Sequence, residues 1–84
     1  MSFPPNTPTV ITGDFNVNLA VKSDSSLTTL MNRYGFQQQI KEPTTDSGSL
    51  IDHMYFNRQD NDVYTSVRDI YYSDHDLICL TTNL

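Results

Sequence analysis

The stretch DSSLTTLMNRYG, residues 24–35, is where the chain changes its period. Leu27, Leu30, Met31 and Tyr34 stand at i, i+3, i+4 and i+7, one face of an amphipathic helix. Asp24 or Ser25 can cap its N-terminus, and Gly35 falls where a C′ glycine ends a helix. The spacing predicts one helix over Leu27 to Tyr34. The segments on either side read as short strands and turns.

Upstream, Thr9 to Gly13 is a β-forming run and predicts the first strand. Residues 1–8 carry Pro4, Pro5 and Pro8 and predict an extended lead-in, leaving 9–84 as the domain. Asn16 to Ser23 predicts a loop. Downstream, Phe36 to Lys41 predicts a second strand that Pro43 ends, and Thr44 to Ser49 a polar turn. Leu50 to Phe56, Val63 to Ile70 and Leu77 to Thr82 predict three more strands, separated by polar segments.

The predicted order is β-α-β-β-β-β. That order implies an α/β or α+β layer with one amphipathic helix on a mixed sheet. The first, third and fifth strands are apolar on both faces and so call for cover on both sides. One short helix covers one side. The expectation is that the chain pairs with a second copy or a partner, or is half of a larger domain.

Composition narrows the function. The chain is long enough for one small domain, and 37% hydrophobic with 11% aromatic residues it is globular rather than disordered. Ten acids against five cations give a net charge of −5. Lys22, Arg33, Lys41, Arg58 and Arg68 are scattered, so nothing resembles a basic patch that neutralises DNA phosphates. Clustered carboxylates still suit a nucleic-acid enzyme when divalent cations fill them.

Cys79 is the single cysteine, so no internal disulfide forms, and its apolar setting, Leu77 to Leu80, predicts a core position. No apolar run approaches the roughly 20 residues of a membrane span. Met1 to Pro5 has neither a basic nor an apolar leader region. The expected setting is intracellular and reducing, the nucleus included, with no membrane partner.

Three motifs carry chemistry. Gly13-Asp14-Phe15-Asn16 ends the first strand with an acid and an amide two residues apart, which share a face if the chain stays extended. Ile51-Asp52-His53-Met54 places an acid on the face of Leu50, Met54 and Phe56, where it needs a partner. His53 points the other way and reads as structural or surface. Ser73-Asp74-His75-Asp76 sets a histidine among acids at a loop-to-strand junction, where a carboxylate can orient it as an acid or base. Each motif alone is also ordinary turn chemistry.

Together they converge. Each abuts a predicted strand, and side-by-side strands would bring Asp14, Asn16, Asp52, Asp74 and His75 to one sheet edge. Asp and Asn oxygens favour hard cations such as Mg²⁺ or Mn²⁺. Metal, oriented histidine and clustered acids suit phosphodiester hydrolysis.

Gly-Asp-Phe-Asn, Ile-Asp-His and Ser-Asp-His, in that order, resemble the C-terminal half of the endonuclease/exonuclease/phosphatase family. The resemblance is closest to the endonuclease domain of non-LTR retrotransposons, through the helix Leu27 to Tyr34, the segment Pro43-Thr44, and Leu50-Ile51-Asp52-His53. It runs over about residues 9 to 81. It implies a four-layered α/β sandwich of two sheets with helices outside.

By that resemblance Asp14 orients or activates the attacking water, and Asn16 holds the scissile phosphate or a metal. Asp52 orients the catalytic His75, which contacts the phosphate, and Asp74 lies close to the metal. The implied catalytic set is Asp14, Asn16, Asp52 and His75, and the implied metal set Asp14, Asn16 and Asp74, for Mg²⁺ or Mn²⁺. The family's main metal ligand is a Glu in an N-terminal half that also supplies the second sheet. The one Glu here, Glu42, stands elsewhere, so the resemblance implies an incomplete domain, a fragment. The substrate expected is DNA. The alternatives are a small phosphoester, or a non-catalytic remnant that buries its open face by dimerising or binding a partner.

Overall fold

A computed structural model describes residues 7–22, 24–58, 63–69 and 73–82 of the chain. The element order is β1 (Val10–Asp14), α1 (Ser26–Arg33), β2 (Gln37–Gln38), β3 (Asp52–Phe56), β4 (Val63–Arg68) and β5 (Leu77–Thr82). This is the β-α-β-β-β-β order of a small α+β fold. The lead-in expected over residues 1–8 falls mostly outside the described residues.

The strands form two antiparallel sheets rather than the single mixed sheet expected. One is three-stranded, in the order β1-β3-β2, and the other is the two-stranded β4-β5 pair. β3 is central. Its residues face β1 from Val10↔Phe56 to Asp14↔Asp52, and β2 at Gln37↔Phe56 and Gln38↔Tyr55. β4 and β5 pair from Val63↔Thr82 to Arg68↔Leu77.

β3 is buried on both faces, as its sequence demands. Met54 packs with Leu19, Ile40 and Leu50, and against these lie Val17, Val67, Ile78 and Leu80. Tyr55 packs with Met31 and Phe36, flanked by Ile11, Phe15 and Leu27. Neighbouring strand residues point to opposite faces, so α1 covers one face of β3 and the β4-β5 pair the other. Cover for the second face of β3 comes in part from this chain's own two-stranded sheet. Cys79, in β5, is partly rather than fully buried.

α1 forms where the period changes, but its buried stripe is narrower than the spacing implies. Ser25 is the N-cap, and Thr28 completes a capping box. The Thr28 N–H donates to Ser25 Oγ at 3.2 Å, and the Ser25 N–H donates to Thr28 Oγ1 at 2.7 Å. That duty buries Thr28 beside Met31, while Leu30 and Tyr34 stay exposed. Gly35 takes φ 85°, and the N–H groups of Gly35 and Phe36 donate to Asn32 and Met31 carbonyls in a Schellman closure. The closure turns Phe36 back onto Met31. No helix among the described residues is long and apolar enough to cross a membrane.

Candidate active site

The site begins with strand pairing. Asp14 ends β1 and Asp52 begins β3, and the register sets them opposite one another. Two like charges across a ladder repel, so the pair needs a counter-charge. His75 supplies it. Its Nδ1 lies 2.9 Å from Asp52 Oδ2, and its Nε2 lies 3.9 Å from Asp14 Oδ2. One oxygen or nitrogen from each of Asp14, Asp52 and His75 lies within 4.8 Å of the others.

The backbone holds His75 there from both sides. His75 forms a β-bridge with Thr45, the Asp46 N–H donates to the Asp74 carbonyl at 3.0 Å, and the Asp76 N–H donates to the Thr44 carbonyl at 2.6 Å. The segment Thr44–Ser49 is itself a closed turn. Thr44 N–H donates to the Ser49 carbonyl, Gly48 N–H to the Thr45 carbonyl, and Gly48 takes φ 89°. A polar loop thus becomes a rigid shelf under the histidine.

Thr44 is fully buried, and its role is not visible in the sequence. Its Oγ1 donates to Asp52 Oδ2 at 2.8 Å, the same oxygen that meets His75. The Asp52 N–H donates back to Thr44 Oγ1 at 3.2 Å. Thr44, Asp52 and His75 therefore form a chain in which each member fixes the next. The only signal in the sequence is the Pro43-Thr44 segment, and nothing in it distinguishes Thr44 from Thr45.

The electrostatics follow from the contacts. The His75 pKa is raised above its ordinary 6.5, first by the hydrogen bond to Asp52 and then by that carboxylate's charge, with Asp74 and Asp14 adding to it. Partial desolvation opposes the rise. With Nδ1–H donated to Asp52, Nε2 faces Asp14. The 3.9 Å between them is too long for a hydrogen bond, so a polar group lying beside the pair can meet both atoms.

The other expected site residues lie as follows. Asn16 leaves the extended conformation, with φ 54°, so its side chain does not follow the strand alternation that would align it with Asp14. Its backbone N–H donates to Asp14 Oδ1 at 2.9 Å. Asp74 is exposed and stands outside the trio of ligand atoms, reaching His75 only through its charge. Asp52 takes a place in the trio that the expected metal set did not give it. Glu42 is exposed and outside the trio.

A hard cation fits part of this donor set. Asp14 keeps a half-exposed carboxylate with one oxygen turned to the gap. Asp52 Oδ2 already accepts from Thr44 and His75, so its capacity for metal is reduced. Mg²⁺ is commonly held by one or two carboxylates with waters completing the shell, which Asp14 can satisfy. No family model, no curated protein and no solved structure matches the chain.

Proposed function

We propose that the chain is a relative of the endonuclease/exonuclease/phosphatase family and that this edge hydrolyses phosphodiesters. The observation that carries the reading is the Asp52–His75 pair at 2.9 Å, with Nε2 turned to Asp14. An imidazole held by a carboxylate on one nitrogen and free on the other is a device for moving protons or stabilising charge.

Each residue has a part. Thr44 and Asp52 fix the tautomer and orientation of the His75 ring. Asp14 accepts the proton of a water on its exposed side, and the water oxygen attacks phosphorus as the bond to the leaving oxygen breaks. The raised pKa keeps His75 cationic over more of the neutral range, which suits its Nε2–H to neutralise a phosphoryl oxygen, while the departing oxygen takes its proton from solvent. Mg²⁺ or Mn²⁺ held by Asp14 would polarise the phosphoryl group.

DNA is the first substrate to test, on the motif order shared with retroelement endonucleases. The net charge of −5 and the scattered cations favour a small phosphodiester as the second reading. The experiment is conversion of supercoiled plasmid to nicked circles in Mg²⁺ or Mn²⁺, with EDTA and His75→Ala controls, run beside a chromogenic phosphodiester. Cleavage that needs metal and His75 supports the reading. Absence of cleavage of both substrates, or cleavage that survives His75→Ala, removes it.

A further inference from the structure

His53 is fully buried and is not used by the proposed chemistry. It nevertheless touches the site's entry turn at two points. Its ring stacks on Phe15, with centroids 5.2 Å apart and planes at 16°. Its Nε2 lies 2.9 Å from the Val17 carbonyl and 3.1 Å from the Leu50 carbonyl. Carbonyl oxygens only accept, so Nε2 carries the ring proton and shares it between them. Nδ1, 2.8 Å from the Tyr55 hydroxyl, then accepts from it. Burial pushes the Tyr55 pKa up to about 12, which keeps that hydroxyl a donor.

Phe15 and Val17 are the two neighbours of Asn16. Asn16 sits between them at φ 54°, in the left-handed region that, glycine apart, asparagine enters most readily. Its N–H meets the Asp14 carboxylate. Asparagine tolerates this conformation better than other residues with a Cβ, and contacts on either side then decide whether the turn is held. Those contacts come here from one ring that stacks on the residue before and hydrogen-bonds the residue after.

We propose that His53 is a positioning residue that clamps the Phe15–Val17 turn, and with it Asn16, beside Asp14 at the edge where Asp52 and His75 meet. Its functional meaning rests on the phosphodiesterase reading, while the clamp itself is a matter of structure. A leucine or phenylalanine could fill the same volume, but neither could hold the Val17 and Leu50 carbonyls while its neighbour Asp52 serves the opposite face.

Amide hydrogen exchange on the full chain tests the clamp without reference to activity. His53→Phe keeps a ring and removes the donor, whereas His53→Gln restores an N–H in place of Nε2. Phe15, Asn16 and Leu19 amides should exchange about tenfold faster in His53→Phe, the factor carried by one net hydrogen bond. The β4-β5 amides should be unchanged, and His53→Gln should recover much of the protection. Equal loss at all amides would make His53 a packing residue only and overturn the proposal, as would unchanged exchange at Asn16.

Should His53→Phe not fold, the ¹⁵N spectrum of the unsubstituted chain at neutral pH decides. A proton on Nε2 with Nδ1 bare is expected, and a proton on Nδ1 with Nε2 bare would overturn the clamp. If the unsubstituted chain cleaves neither phosphodiester, the proposed function fails and the exchange result still stands by itself.

Discussion

Asp14 and Asp52 stand opposite one another at the open end of the β1-β3 ladder, and the His75 ring is set between their carboxylates. Strand pairing alone would make this a repulsive end to the sheet. The histidine turns it into a three-member array with one long gap, on the Asp14 side. The unequal distances matter, since the 2.9 Å contact fixes the ring and the 3.9 Å separation leaves Nε2 and Asp14 Oδ2 without a direct hydrogen bond to one another.

Asp52→Asn keeps the shape and removes the charge. The hydrogen bond and charge of Asp52 are the largest causes of the raised His75 pKa. An NMR titration of His75 should therefore midpoint above 6.5 in the unsubstituted chain and move down in the variant. Phosphodiester cleavage should fall by about 10²–10⁴-fold, the usual worth of a general acid or base group. An unmoved titration would mean that the pair is not formed in solution.

The same shift sets a pH window for stability. His75 binds its proton more tightly in the folded state than at the ordinary value of 6.5. Its stabilising contribution is thus whole below 6.5 and is lost as pH rises through the higher folded value. Denaturation midpoints of the unsubstituted chain and His75→Ala should differ most just below 6.5 and converge at alkaline pH. Cleavage that depends on the cationic ring should decline over the same alkaline rise. A midpoint gap that widens with pH would contradict the assignment.

Asp76 carries the opposite sign. Desolvation, then the charges of Asp69 and Asp46, raise its pKa above the ordinary 3.8. The folded state therefore resists its ionisation, and the penalty grows as pH rises from 3.8 through the folded value. Asp76→Asn should raise the unfolding midpoint at neutral pH by a small amount, and the gain should vanish below 3.8. Urea melts at neutral and acid pH make the comparison. A variant destabilised at neutral pH would show that the Asp76 carboxylate is needed where it stands.

Gly35 closes α1 at φ 85°, with open space where a Cβ would project. Gly35→Ala meets no clash, so its cost is conformational, about 1–2 kcal/mol. Chemical denaturation should show a lower midpoint with an unchanged slope. A neutral substitution would mean that the helix end is not held in the left-handed turn.

The helix and β5 were legible because their signals are local. A 3.6-residue period between a serine cap and a glycine needs no distant partner, and β5 occupies the expected Leu77 to Thr82. β2 is shorter than Phe36 to Lys41 because Gln38 competes with the sheet. Its side chain accepts from the Ile40 N–H at 2.6 Å and donates to the Ile40 carbonyl at 2.5 Å. β3 starts at Asp52, not Leu50, because the backbone of Leu50 and Ile51 is taken by Asn18, Leu19 and Phe15 from the loop after β1. β4 ends at Arg68, and Ile70 of its expected span lies outside the described residues.

Asp14 and Asp52 were equally legible, since each marks a strand end, and His75 stands two residues before β5. Asp14, Asp52 and His75 meet as the motifs imply. Asn16 does not follow its strand, because periodicity cannot foresee a left-handed residue. Thr44 was hidden because a buried hydroxyl is recognised only by what it touches.

Asp52 and His53 are adjacent in β3 and serve opposite faces, one meeting His75 and the other enclosed by Phe15 and Tyr55. A one-residue slip in the pairing of β3 would exchange them. It would drive a carboxylate against the Phe15 ring without its threonine donor, and would leave an imidazole facing an imidazole. Either misfit is heavily penalised. The chemistry of this edge therefore also proofreads the assembly of the sheet: a chain that folds out of step is rejected by the same residues that the site requires.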